Sequence, residues 1–170
     1  IQELPWEEYK KKARAIREKN VSRLQELMDR FTQEAEKAGA RVYHTSTPED
    51  AVAAVLKIAR ERKARLIVKS KSMVSEEIRL NAALEKNGFE VVETDLGEWI
   101  IQMAQDRPSH ITAPALHLTK EKMAKILSRR LGRSVPADPR EIVRLAREEM
   151  RKYFAIADIG ISGANFAIAE

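Results

Sequence analysis

Apolar residues recur at threes and fours from Trp6 to Ala38, at Trp6, Tyr9, Ala13, Ile16, Leu24, Leu27, Phe31, Ala35 and Ala38, with one break at Asn20. That spacing predicts one long amphipathic helix with Lys, Arg and Glu on its other faces. Gly39 ends it as a left-handed cap. The pattern then changes period. Arg41–His44 reads as a short strand, and Thr47-Pro48-Glu49-Asp50 opens a helix whose buried stripe is Val52, Val55, Leu56 and Ala59. Leu66, Ile67 and Val68 form a short apolar run of strand type, followed at once by Lys69, Ser70, Lys71 and Ser72. A helix is expected from Ser75 to Lys86, with Asn87-Gly88 as its C-cap.

Phe89–Glu93 reads as the third strand, Thr94–Gly97 as its loop and Glu98–Ala104 as a short helix. His110–Ala113 reads as a fourth strand or extended segment ending at Pro114. Thr119 caps a helix to Leu131, with Gly132 after it, and Asp138-Pro139-Arg140-Glu141 opens another to about Phe154. Asp158–Ile161 and Phe166–Ala169 are strand candidates around the turn Ser162-Gly163-Ala164-Asn165. Strands alternating with helices imply right-handed crossovers: an α/β fold in three layers, a mostly parallel sheet with helices on both faces. Trp6, Trp99 and the five methionines are expected in core or covering positions.

Parallel topology puts the strand-end loops on one rim, where open α/β sheets bind ligands. Four groups of residues then gather: Lys69, Ser70, Lys71 and Ser72; Glu93 with Asp95; His110 with His117; and Gly163 with Asn165. Two ammonium groups and two hydroxyls beside a helix N-terminus suit a carboxylate or phosphate. Equally, the lysines are solvated and Ser72 or Ser75 caps the helix. Two imidazoles can serve as acid and base, or pack and cap a loop. Glu93 and Asp95 alternate, so both can face one side and orient a lysine or histidine, or remain solvated acids. Gly163 permits a close backbone approach, and Asn165 can hydrogen-bond a carboxylate; a plain turn is the alternative. No P-loop, dinucleotide fingerprint or zinc helix is present, and no third metal ligand stands at a recognisable spacing from the histidines.

Composition narrows the classes. At 170 residues and 44% hydrophobic, one domain can bury a core. No run approaches the roughly 18 apolar residues that span a bilayer, and Ile1–Tyr9 does not read as a signal peptide, so a cytoplasmic location is expected. The net charge of +5 permits nucleic acid, but the cations cluster at helix ends and aromatics are only 5%, too few for a stacking platform. No nucleic-acid partner is expected. The chain has no cysteine, which excludes disulfides, thiolate metal sites and a cysteine nucleophile.

Four blocks carry a resemblance: V-K-S-K-S-M-V-S-E-E-I-R-L-N from Val68, E-V-V-E-T-D-L-G-E-W-I-I-Q from Glu90, R-P-S-H-I-T-A-P-A-L-H from Arg107 and A-D-I-G-I-S-G-A-N-F-A-I-A-E from Ala157. In this order they resemble the LUD domain, and more closely the lactate-utilisation iron–sulfur proteins of the LutB type. The resemblance implies a fold like that of glucosamine-phosphate isomerase, ribose-phosphate isomerase and the CoA-transferases. Together with the apolar spacing it divides the chain into a long helix over residues 1–40 and a LUD-type domain over 41–170, which the resemblance implies is incomplete at its C-terminal end. It also implies oxidation of L-lactate to pyruvate with other lactate-utilisation subunits. Lys69, Ser70, Lys71, Ser72, Glu93, Asp95, Gly163 and Asn165 would bind the small carboxylate, with His110 and His117 as acid and base. The family's [4Fe-4S] clusters would sit on cysteines outside this stretch. A sugar-phosphate isomerase, an acyl-CoA-handling enzyme and a non-catalytic scaffold remain alternatives on such a fold.

Overall fold

The computed structural model describes residues 5–110 and 113–163. It divides into two compact units, Ile1–His44 and Thr45–Glu170. The first holds two helices, α1 (Trp6–Ser22) and α2 (Leu24–Lys37), where one was expected. The break falls at Arg23, three residues after the interruption of the apolar spacing at Asn20. Neither helix has a buried residue, and Trp6 is 64% exposed rather than core. Short-range ion pairs such as Glu7–Lys10 and Glu34–Lys37, each at 2.8 Å, line the polar faces; such pairs contribute about 0.2–0.5 kcal/mol each. Gly39 takes the expected left-handed conformation, φ +89°. Arg41–His44 is not a strand: His44 Nε2 lies 2.9 Å from Thr32 Oγ1 on α2, and the segment joins no sheet. A strand needs a neighbour for its backbone groups, and this segment has none among the described residues.

Among the described residues, the second unit is built on a three-stranded parallel sheet of order β2-β1-β3, with β1 Leu66–Lys69, β2 Glu90–Glu93 and β3 Ile159–Ile161. α3 (Pro48–Glu61) precedes β1, capped by Thr47, whose hydroxyl accepts from Asp50 N at 3.1 Å. α4 (Met73–Glu77) and α5 (Leu80–Lys86) connect β1 to β2. α6 (Leu96–Ala104), α7 (Lys120–Leu131) and α8 (Pro139–Ile156) connect β2 to β3. The first connection steps from β1 to one side and the second carries the chain back past it. A shared crossover hand then requires the two sets of helices to lie on opposite faces, and the cores show it. Ile67 and Val91 pack with Ala59, Leu80 and Leu84. Leu66, Val68 and Val92 pack with Trp99, Leu127, Ile142, Leu145 and Met150 on the other side. The three-layer α/β architecture expected of the pattern is the one observed.

The single expected helix from Ser75 to Lys86 is two, because Arg79 adopts φ +51° between them. A left-handed non-glycine residue costs about 1–2 kcal/mol; burial of Leu80 and Leu84 on α5 offsets it. Asp138 caps α8 as expected, accepting from Arg140 N and Glu141 N. His110 lies in a bend and Ala113 outside any strand, so no strand is described there; Ile111 and Thr112 lie outside the described residues. The strand candidate Phe166–Ala169 also lies outside them. The outer edge of β2 is closed by a side chain. Gln102 Nε2 donates to Val91 O at 2.7 Å, and its Oε1 accepts from Glu93 N at 3.0 Å. The amide thus stands in for one peptide of a further strand.

Candidate functional site

Parallel strands bring their C-terminal ends to one rim, and the residues leaving β1 meet those leaving β2 and β3 there. Successive side chains alternate faces. Ile67 points to the α3–α5 side, so Lys69 does too, and the register pairs Lys69 with Glu93 of β2. Lys69 is wholly buried. Its Nζ donates to Glu76 Oε1 at 2.8 Å and Ser75 Oγ at 3.1 Å, and pairs with Glu93 Oε1 at 2.8 Å. Burial works against its charge, but the hydrogen bonds to Glu76 and Glu93 outweigh it and hold the ammonium's pKa above its ordinary value. All three ammonium protons are therefore engaged within the protein.

Ser70 N donates to Ile161 O at 2.9 Å, and its hydroxyl meets that of Ser162 at 3.1 Å. Ser72 caps α4, its Oγ accepting from Ser75 N at 3.2 Å. Gly163 lies hard against that cap: a Cβ there would fall inside the side chain of Ser72 and 3.1 Å from its Cα. The K-S-K-S loop and the start of the Gly-Ala-Asn bend thus do meet at one end of the sheet. Asn165 lies outside the described residues.

Lys71 turns to the cleft. Its Nζ donates to Glu98 Oε1 at 2.6 Å, and Glu98 is itself buried at the start of α6. Around Lys71 lies a cavity of about 280 Å³, lined also by Met73, Glu76, Glu77, Glu98 and His110. His110 Nδ1 accepts from Ala113 N at 3.3 Å. His117 does not line this cleft. Its Nε2 sits 3.0 Å from Asp106 Oδ2, and that hydrogen bond is the main reason the Asp106 carboxyl is held below its usual range. Asp95 is the N-cap of α6, its Oδ1 accepting from Gly97 N and Glu98 N. Glu93 is buried beside Lys69 rather than at the cleft.

Glu76, Glu98 and Asn81 complete these contacts together with Ser75, which was expected only as a cap; a glutamate in the first turn of a helix most simply supports the helix dipole. The cleft therefore offers one ammonium, three carboxylates and an imidazole. Such a set can hold a small carboxylate on Lys71 and accept a proton on Glu76, Glu77 or His110. Among the described residues no three side chains are placed to hold a metal ion, and none of the helices is long and apolar enough to cross a membrane.

The LUD domain model matches residues 28–170. Lactate utilization protein B of Geobacillus thermodenitrificans is 46% identical over 166 residues, 97% of this chain and 35% of the relative. The same-named protein of Shouchella clausii is 45% identical over the same shares. The uncharacterized electron transport protein YkgF of Escherichia coli is 41% identical over 165 residues, again 97% of this chain and 35% of the relative. The chain thus spans about a third of the length of these curated relatives. No solved structure shows a significant match. On the extent of the domain match and the identity of its relatives, the chain belongs to the LUD domain family.

Proposed function

We propose that this chain is the ligand-binding LUD portion of a lactate-utilisation protein, and that its cleft takes L-lactate during oxidation to pyruvate. The relatives named for lactate utilization support the substrate class. The observation that carries the site is Lys71, the cation lining a cavity of about 280 Å³ together with Glu76, Glu77 and His110. Lys71 binds the carboxylate in exchange for its bond to Glu98, and Glu76 or His110 accepts the hydroxyl proton. Oxidation also breaks the C2–H bond of lactate, and that hydrogen leaves as a second proton and two electrons. With no cysteine in the sequence, this chain holds no cluster through thiolates. In this proposal the electrons leave through iron–sulfur clusters on the rest of the longer protein or on partner subunits. The test uses a protein of the relatives' full length, with L-lactate and a redox dye. Lys71→Ala should abolish lactate-dependent dye reduction, and an undiminished rate removes this site from the reaction.

A second reading is favoured by a different observation. Trp6, Tyr9, Ile16, Leu24, Met28 and Phe31 are all exposed on α1 and α2, a stripe suited to holding another subunit. In this reading the unit acts as a scaffold. Retention of partner subunits after loss of lactate binding would favour it.

A further inference from the structure

We propose that Glu93 is a neutral carboxylic acid in the folded protein, with a proton on Oε2 shared with Asn81 Oδ1, and that it gives up this proton when Glu76 is drawn away from Lys69.

The geometry begins with two atoms that lack a donor. Glu93 Oε1 receives two, Lys69 Nζ at 2.8 Å and Asn81 Nδ2 at 2.5 Å. Glu93 Oε2 and Asn81 Oδ1 are buried and receive none among the described residues. An ionised carboxylate has acceptors only, and so does an amide oxygen, so neither atom can satisfy the other. One proton on Oε2 fills the empty valence on Glu93, and because Nδ2 of the Asn81 amide already meets Oε1, the same amide's Oδ1 is the acceptor we assign to it. A buried polar atom without a partner is costly enough that native structures contain few.

Charge leads to the same place. The titratable groups facing Glu93 are Lys69 from β1 and Glu76 from α4; Ser75 of α4, Asn81 of α5 and Gln102 of α6 add neutral hydrogen bonds. One ammonium faces two carboxyls. The side chain of Glu76 is 47% exposed to water, whereas that of Glu93 is 4% exposed. The carboxyl that carries the extra proton is the one water does not reach. Burial is also the largest influence on Glu93 and pushes its pKa up, against the pull of Lys69 and Asn81.

The cluster is linked to the cleft because Glu76 belongs to both. A cation or hydrogen-bond donor that engages Glu76 from the cleft leaves the Lys69 charge to Glu93 alone. The O–H bond of Glu93 then breaks, its electron pair stays on Oε2 and the proton passes to solvent. This coupling holds for any ligand of the cleft that draws Glu76 from Lys69.

Infrared spectroscopy of the chain with isotope-labelled glutamate tests it at neutral pH. The wild type should show one protonated-carboxyl band that is absent from Glu93→Gln. Glu76→Gln should abolish the band as well, since Lys69 then faces Glu93 alone. No band in the wild type, or a band that survives in Glu93→Gln, overturns the assignment; a band that survives in Glu76→Gln overturns the coupling. Thermal melting is the second readout. A glutamine at 93 offers Asn81 the same donor and has no proton to lose on unfolding, so the melting temperature should be no lower than that of the wild type. A marked fall, or failure to fold, means that Lys69 was paired with an ionised Glu93.

Discussion

Lys69 and Lys71 leave the end of one strand two residues apart, whereas Lys125 and Arg129 leave one helix four residues apart. The first pair lies at the rim where a ligand is expected, and both ammonium groups are held by glutamates, Lys69 by Glu76 and Glu93 and Lys71 by Glu98. The second pair lines a groove of about 820 Å³ on the β2 side with Lys122 and Trp99, and no ion pair of either cation is found among the described residues. A cluster of cations in the sequence therefore says little about which of them are available. Burial is what separates the two regions: a lysine inside must carry its counter-ion with it, while one in water need not. At the rim the lysines serve first to join β1 to its neighbours.

The largest effect expected from this contrast is on Lys69. Lys69→Met removes the donor to Ser75, Glu76 and Glu93 together, and each buried acceptor left without its donor costs about 1–3 kcal/mol. Denaturant melts of the chain should show that loss, and a loss below about 0.5 kcal/mol, the usual range at the surface, would place Lys69 with the groove residues instead. Gly163→Ala comes next. Its Cβ would collide with the Ser72 cap, and overpacking of that kind costs about 1–3 kcal/mol. An unchanged midpoint would mean that the two loops are not held together.

The dependence on pH is smaller and has a definite sign. Burial raises the pKa of Glu93, so the folded chain holds that proton more tightly than the unfolded chain does. Its stabilisation is complete below the ordinary glutamate pKa and is lost as pH rises through the raised folded value. Comparing wild type with Glu93→Gln, the melting temperatures should move in favour of the variant as pH rises. A shift in the opposite sense would mean a lowered pKa. The smallest effect belongs to the groove: Lys125→Glu with Arg129→Glu should change stability by no more than about 0.5 kcal/mol, as read in the same melts.

Much of this frame was legible in the residues. Thr47, Asp138 and Thr119 cap helices where expected, because a short polar side chain before an apolar stripe has one common use. The strand at Leu66 was legible from its unbroken apolar run, since a central parallel strand is covered on both faces. Arg41–His44 misled because alternation describes a strand's faces and not its partner. The turn at Arg79 was hidden because the apolar spacing continues through it into Leu80 and Leu84. At the site, Lys69, Lys71 and Glu93 stood out as charges at strand ends. Their partners did not. The pairing of Lys69 with Glu93 depends on strand register, and those of Lys69 with Glu76 and Lys71 with Glu98 depend on how α4 and α6 return to the rim. Neither is written in local spacing.

The most direct measurement is calorimetric titration of L-lactate into a protein of the relatives' full length, compared with Lys71→Ala and with the double variant Lys125→Ala, Arg129→Ala. Saturable binding that disappears in Lys71→Ala and persists in the double variant is the expected result. Equal affinity in Lys71→Ala and the wild type would contradict the assignment of the cleft.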